Sequence, residues 1–151
     1  MEKTTITLKR KVLAKTDLCV GCELCMASCS ITHFGVNNPR LSGITIRRDL
    51  FQRYEIQFIC RHCDDPKCVD ACIMGNVTKD PDTGLVHHCI EDCVGCWSCM
   101  MACPFDSLTQ GVVNGRPVVV RCDLCPDRDI PACVVVCPTE ALVLVEVLSA
   151  K

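Results

Sequence analysis

Between residues 4 and 14 polar and apolar side chains alternate, which is the period-two pattern of a strand. Gly43 to Arg48 and Tyr54 to Ile59 show the same alternation and predict a hairpin. The segment from about Cys22 to His33 reads as a helix, and Gly35-Val36-Asn37-Asn38-Pro39 as the turn after it. A short helix is expected near Lys67–Cys72. Asp80-Pro81-Asp82-Thr83-Gly84 then makes a tight turn between extended pieces around Val77 and Val86. A third loop and helix run from about Cys93 to Pro104. Asn114-Gly115, set between β-formers, is the strongest hairpin signal, and Ala141–Leu148 predicts a final strand. Every piece is short. The longest apolar stretches, Val134–Val136 and Ala141–Val145, fall far below the roughly 18–20 residues of a membrane-spanning helix.

What the elements connect is more telling than the elements. Sixteen of the seventeen cysteines fall into four runs of four: Cys19, Cys22, Cys25, Cys29; Cys60, Cys63, Cys68, Cys72; Cys93, Cys96, Cys99, Cys103; and Cys122, Cys125, Cys133, Cys137. The first and third have the C-x2-C-x2-C-x3-C spacing of bacterial ferredoxins, and the third ends in Cys103-Pro104. The second and fourth each stretch one gap. Each run supplies thiolates for a [4Fe–4S] cluster, so four clusters and an electron-transfer role are expected. Gly21 and Gly95, each just before the second cysteine of its run, are expected to let the backbone come close to a cluster. In two-cluster ferredoxins the last cysteine of a run ligates the neighbouring cluster. Spacing leaves two exchange schemes open: adjacent runs pair, or the pairs nest, one with four and two with three.

Composition agrees with a cofactor-filled interior. Aromatic residues are only 4%, too few for the core of a chain of 151 residues unless bound groups complete it. A secreted disulfide scaffold is disfavoured by the odd cysteine count, by the repeated C-x2-C spacing and by a start that alternates instead of forming an apolar leader. A reducing cytoplasm is the expected setting. The formal charge of −2 becomes about −10 with four oxidised clusters, and the basic residues are scattered, so nucleic-acid binding is not expected. Lys9, Arg10, Lys11, Arg47 and Arg48 read as solvated strand edges.

The order of the runs, the expanded second and fourth, Arg61-His62-Cys63-Asp64-Asp65-Pro66, and Cys93-Val94-Gly95-Cys96-Trp97 leading to Cys103-Pro104-Phe105 together resemble a known family. It is the four-cluster electron-transfer subunits of dimethyl sulfoxide reductase and formate dehydrogenase complexes. The likeness covers about residues 15–147 and is strongest to the short soluble type that serves carbon monoxide dehydrogenase or aldehyde oxidoreductase. The repeat of a regular and an expanded run reads as two tandem ferredoxin-like halves, about 15–75 and 88–145 with a hairpin inserted at 43–59, and the fold expected is α+β, tandem bacterial-ferredoxin-like modules with pseudo-twofold symmetry. The resemblance implies nested ligation: Cys19, Cys22, Cys25 with Cys137; Cys29 with Cys122, Cys125, Cys133; Cys60, Cys63, Cys68 with Cys103; and Cys72 with Cys93, Cys96, Cys99.

Of the residues outside the runs, Cys89 reads as a small buried hydrophobe. Trp97 reads equally as packing or as a residue that mediates electron transfer or shields a cluster from water. His62 is placed to donate to a sulfide and not to ligate, and His33, His87 and His88 read as loop residues. No phosphate-binding loop, nucleophile elbow or zincin motif is present, so the chain is expected to act as a non-catalytic subunit. Its expected partner is a catalytic oxidoreductase subunit, with a hydrogenase or formate dehydrogenase module as further candidates and self-association as an added expectation. A zinc-binding interaction module is the competing class. The hairpin at 43–59 and the strand at 141–148 are the docking surfaces expected, because ligation does not account for them.

Overall fold

In the computed structural model, which describes residues 6–52 and 54–150, short strands and helices alternate with the cysteine loops. The strands are β1 (Ile6–Ala14), β2 (Ile44–Asp49), β3 (Tyr54–Ile59), β4 (Val77–Lys79), β5 (Val86–His88), β6 (Thr109–Val113), β7 (Arg116–Val120) and β8 (Leu142–Ala150). The helices are α1 (Leu24–Phe34), α2 (Lys67–Asp70), α3 (Ser98–Ala102) and α4 (Ala132–Val136). Helix and strand are mixed along the chain, as in the α+β class.

Three strand pairs are local hairpins, β2 with β3, β4 with β5 and β6 with β7, where the alternation and turn residues place them. Asn114 and Gly115 both take positive φ, 51° and 76°, as the two central residues of a type I′ turn require. The fourth pair is not local. β1 runs antiparallel to β8, with Ile6 opposite Ala150 and Ala14 opposite Leu142, so the two ends of the described chain are hydrogen-bonded along nine residues. Residues 4 and 5 of the expected first strand lie outside the described residues.

The same nesting governs the helices: α1 lies against α4, and α2 against α3. Three small apolar groups fill the space between. One holds Met26, Ile44, Ile46 and Leu142, a second Leu41, Val118 and Val120, and a third Leu108 and Val119. Cysteines complete them: Cys25, Cys29 and Cys133 belong to the first, and Cys99 to the third.

Both elements expected to dock a partner also make contacts within the fold. β8 pairs with β1 along one edge, and β2 buries Ile44 and Ile46 while Thr45 shares a hydroxyl hydrogen bond with Thr109 at 3.0 Å. At the hairpin tip Leu50 and Phe51 are 82% and 99% exposed. The basic residues differ from expectation. Lys9 is buried and ion-paired with Asp64, Arg47 pairs with Asp106 and covers the Phe58 ring, and Arg48 pairs with Glu23. Lys9 is therefore not a solvated edge residue, since its chain lies over Gly84, where a Cβ would come within 2.5 Å of it.

Candidate functional site

The loops of the first and third runs share one backbone. Gly21 and Gly95 have φ of 63° and 65°, and Glu23 and Trp97, each just after the second cysteine, have 61° and 63°. Left-handed residues alternating with others turn successive N–H groups to one side and make the anion-binding concavity found at iron–sulfur sites. Glu23 and Trp97 then cap α1 and α3. A Cβ on Gly95 would lie 2.7 Å from the Pro117 carbonyl oxygen, so the close approach there is to β7. The Cys-Pro pairs are matched as well: three residues past Cys103 and Cys137, Asp106 and Glu140 take φ of 48° and 54°.

The fold brings cysteines from distant runs together. Cys19, Cys22, Cys25 and Cys137 line one cavity, closed by Ile46, Ala141 and Leu142. Cys72, Cys93, Cys96 and Cys99 line another, with Trp97 and Val119. The thiols of Cys60, Cys63 and Cys68 are close enough to act on one another electrostatically, and Cys103 acts on Cys63. Cys133 feels Cys29 and Cys125, and Cys122 feels Cys133 and Cys29. These four groups also adjoin in order. Cys133 feels Cys25, Cys122 feels Cys60, and Cys99 feels Cys68, so first meets second, second meets third and third meets fourth. The outer two groups reach the surface through Cys22 and Cys96, both exposed, while Cys29 and Cys133 are buried.

Burial and the repulsion of neighbouring thiolates push the Cys25 and Cys133 thiols up to about 12. For Cys133 the neighbours are Cys29, Cys125 and Cys25; for Cys25 they are Cys22, Cys19 and Cys137. Such sulfurs stay protonated at neutral pH unless a metal displaces the proton. Burial also raises Cys29, against the hydrogen bond from the Gly43 N–H at 3.3 Å. At Cys103 burial is outweighed by hydrogen bonds from Ser107, Phe105 and Asp106, and the thiol falls below its usual value.

Several buried donors point at nothing in the protein. His62 is 2% exposed and its Nδ1 accepts the Val86 N–H at 2.9 Å, so the neutral ring carries its proton on Nε2, which has no partner. Burial, then the Arg121 charge, hold this imidazole down to about 4. Nε and Nη2 of Arg121 are likewise unpartnered and buried. Thiolates in fours, N–H-rich loops and orphaned donors beside them form a donor set suited to a sulfide-bearing cluster, whose inorganic sulfurs accept hydrogen bonds.

The remaining residues fall differently from expectation. Cys89 is exposed, not a buried hydrophobe: it lies just past β5 and its S–H donates to Glu91 at 3.3 Å. His33 lies in the last turn of α1, not in a loop, and its Nε2 is 3.5 Å from Cys125 Sγ and 3.4 Å from Asp123. Sequence reasoning passed over Arg121; its only signal was a cation between the apolar run Val118–Val120 and Cys122.

A family model described as a 4Fe-4S dicluster domain matches residues 52–147. The chain is 31% identical over 163 residues to the electron transport protein HydN of Escherichia coli strain K12, across 92% of this chain and 89% of that one. It is 36% identical over 126 residues to the polyferredoxin-like subunit of an aliphatic sulfonate oxidoreductase of Pyrococcus furiosus, across 83% and 70%. It is 29% identical to the hydrogenase-2 operon protein HybA of Escherichia coli O157:H7, of which it spans about half the length, 50%, with 87% of this chain covered. Among solved structures, a chain of the active site complex BamBC of benzoyl coenzyme A reductase shares the fold, with a TM-score of 0.58 at 22% identity over 96% of this chain and 84% of that one.

Proposed function

We propose that this chain, which belongs to the 4Fe-4S dicluster family, passes single electrons between a catalytic oxidoreductase subunit and a second carrier or enzyme. The chain is an iron–sulfur electron-transfer protein; that it holds four clusters is part of the proposal. The observation that carries it is the end-to-end order of four cysteine groups, with Cys22 of the first and Cys96 of the fourth exposed. Electrons must enter and leave somewhere, and Cys22 and Cys96 mark two such places.

In this reading Cys19, Cys22, Cys25 and Cys137 hold the first cluster, and Cys29, Cys122, Cys125 and Cys133 the second. Cys60, Cys63, Cys68 and Cys103 hold the third, and Cys72, Cys93, Cys96 and Cys99 the fourth. Bound [4Fe–4S] groups supply reversible one-electron storage at potentials set by charge, hydrogen bonding and solvent exposure. The protein's own work is to hold, insulate and tune. Ile46, Ala141 and Leu142 keep water from the first site, Gly43 donates to a ligand sulfur of the second, and His62 presents an N–H beside the third. The chain contributes no catalytic residue of its own. We read residues 1–151 as one unit of two related halves, about 15–75 and 88–145, because the loops of the first and third runs repeat each other's backbone.

For the partner we keep the carbon monoxide dehydrogenase or aldehyde oxidoreductase type that the sequence suggested, with hydrogenase and formate dehydrogenase modules as alternatives. Relatives named for a hydrogenase operon and for a sulfonate oxidoreductase support an oxidoreductase partner of some kind. Anaerobic purification from the native host, with iron, sulfide and co-purifying subunits quantified, tests the proposal. About sixteen irons and as many sulfides per chain, with a metalloenzyme alongside, is the expected result. Zinc in their place under strict anaerobiosis would refute it.

A further inference from the structure

Arg121 follows the last residue of β7 and precedes Cys122, and it is 8% exposed. A guanidinium cannot shed its charge, and burying one without an opposite charge is costly. Among the described residues no carboxylate lies within ion-pairing distance of it. Its Nη1 instead donates to Cys68 Sγ at 3.5 Å, and Nε and Nη2 have no protein partner. Its charge is felt at Cys60 of the same cysteine group and at Cys99 of the next. A backbone constraint fixes where this happens. Gly43 packs so tightly on the Arg121–Cys122 peptide that a Cβ would lie 2.7 Å from it, so the start of the side chain cannot drift.

We infer that the counter-charge of Arg121 is the cluster held by Cys60, Cys63, Cys68 and Cys103, and that this arginine sets that cluster's reduction potential above the value the same ligands would otherwise give. The inference rests on the ligand assignment proposed above. Its physical basis is one of sign. Reduction adds one electron and one negative charge to the cluster, and a fixed cation in contact with a ligand sulfur, in a site of low dielectric, favours the reduced form. The charge stands between the third and fourth groups and touches the third, so the third gains most. Arg121 is a positioning and tuning residue: it forms no bond to iron and transfers no proton.

The test is an anaerobic redox titration followed by electron paramagnetic resonance on the loaded wild-type protein and on Arg121→Gln, Arg121→Lys and Arg116→Gln, the last an exposed arginine of β7. Arg121→Gln is expected to weaken reduction of one cluster at least tenfold, a fall of about 59 mV for a one-electron couple, and to leave the others within about threefold. Arg121→Lys, which keeps the charge, should restore most of the loss, and Arg116→Gln should change nothing. The inference is overturned if every cluster of Arg121→Gln titrates within about threefold of wild type, or if lysine falls as far as glutamine. Should neither variant assemble, wild-type protein with isotope-labelled guanidino nitrogens decides: nitrogen coupling to a reduced cluster is expected, and its absence sinks the inference. A wild-type protein that binds zinc and no cluster would instead overturn the ligand assignment beneath it.

Discussion

The backbone N–H of Gly43 donates to Sγ of Cys29 across 3.3 Å, and the same glycine lies against the peptide joining Arg121 to Cys122. One residue therefore locks two cysteines that come from opposite ends of the chain. A methyl group at this position would meet backbone carbon and nitrogen, which cannot rotate away. Gly43→Ala is expected to cost about 1–3 kcal/mol of stability, as overpacking does. It should also lower bound iron by about four per chain, one [4Fe–4S] cluster. Iron analysis and anaerobic denaturation measure both; full iron content would show that the second cluster does not depend on this contact.

Nested and adjacent ligation make different predictions for paired substitutions. If Cys19 and Cys137 serve one cluster, Cys19→Ser, Cys137→Ser and the double variant should each lose the same cluster, about four irons. If adjacent runs exchange ligands, the two singles strike different clusters and the double variant loses about eight. Iron per chain in the three proteins separates the schemes, and we expect the first result.

Leu142 is 3% exposed and lines the cavity shared by Cys19, Cys22, Cys25 and Cys137. Leu142→Ala should cost about 2–4 kcal/mol through the cavity it leaves. Water entering beside that cluster should raise its potential and leave the others unchanged. Titration of the four signals checks this, and a uniform shift would assign Leu142 a merely global role.

Lys9 and Asp64 join β1 to the loop of the second run at 2.5 Å. The hydrogen bond and charge of Lys9 hold the Asp64 carboxyl below its ordinary 3.8. The pair's contribution is thus complete at neutral pH and is lost only as acid passes through that lowered value. Asp64 has 77% of its side chain exposed, so screening limits the gain to under about 1 kcal/mol. Asp64→Asn should lower the melting temperature slightly at low salt, and the difference should disappear at about 1 M salt. A difference that persists at high salt would point to packing instead of charge.

Local order was readable wherever a short-range rule applied. Asn114-Gly115 specified its hairpin because two successive positive φ values suit few other pairs. Glu23 and Trp97 gave no such sign, since neither residue type favours the left-handed region they occupy; the loop imposes it. The union of β1 with β8 was not readable, because alternation shows that a strand exists and says nothing of its partner. Cys89 was misjudged for a related reason. A cysteine's burial depends on what folds over it, and here the sulfur lies beside Glu91 and Asp92 and stays exposed. Arg121 looked like one more basic residue until the fold enclosed it.

The pairing of the first strand with the last also orders the making of the protein. Cys72 and Cys99 lie close along the chain, so the fourth group, the most local in sequence, can be completed while the later part is still being synthesised. If Cys19 and Cys137 serve one cluster, Cys19 must wait for Cys137 as β1 must wait for β8, its partner far along the chain. Closing so long a loop carries the largest entropic cost and gains from every inner contact already formed. On that ligation, maturation is expected to run from the fourth group towards the first, and a nascent chain stalled before Cys137 should hold finished later groups beside an open first one.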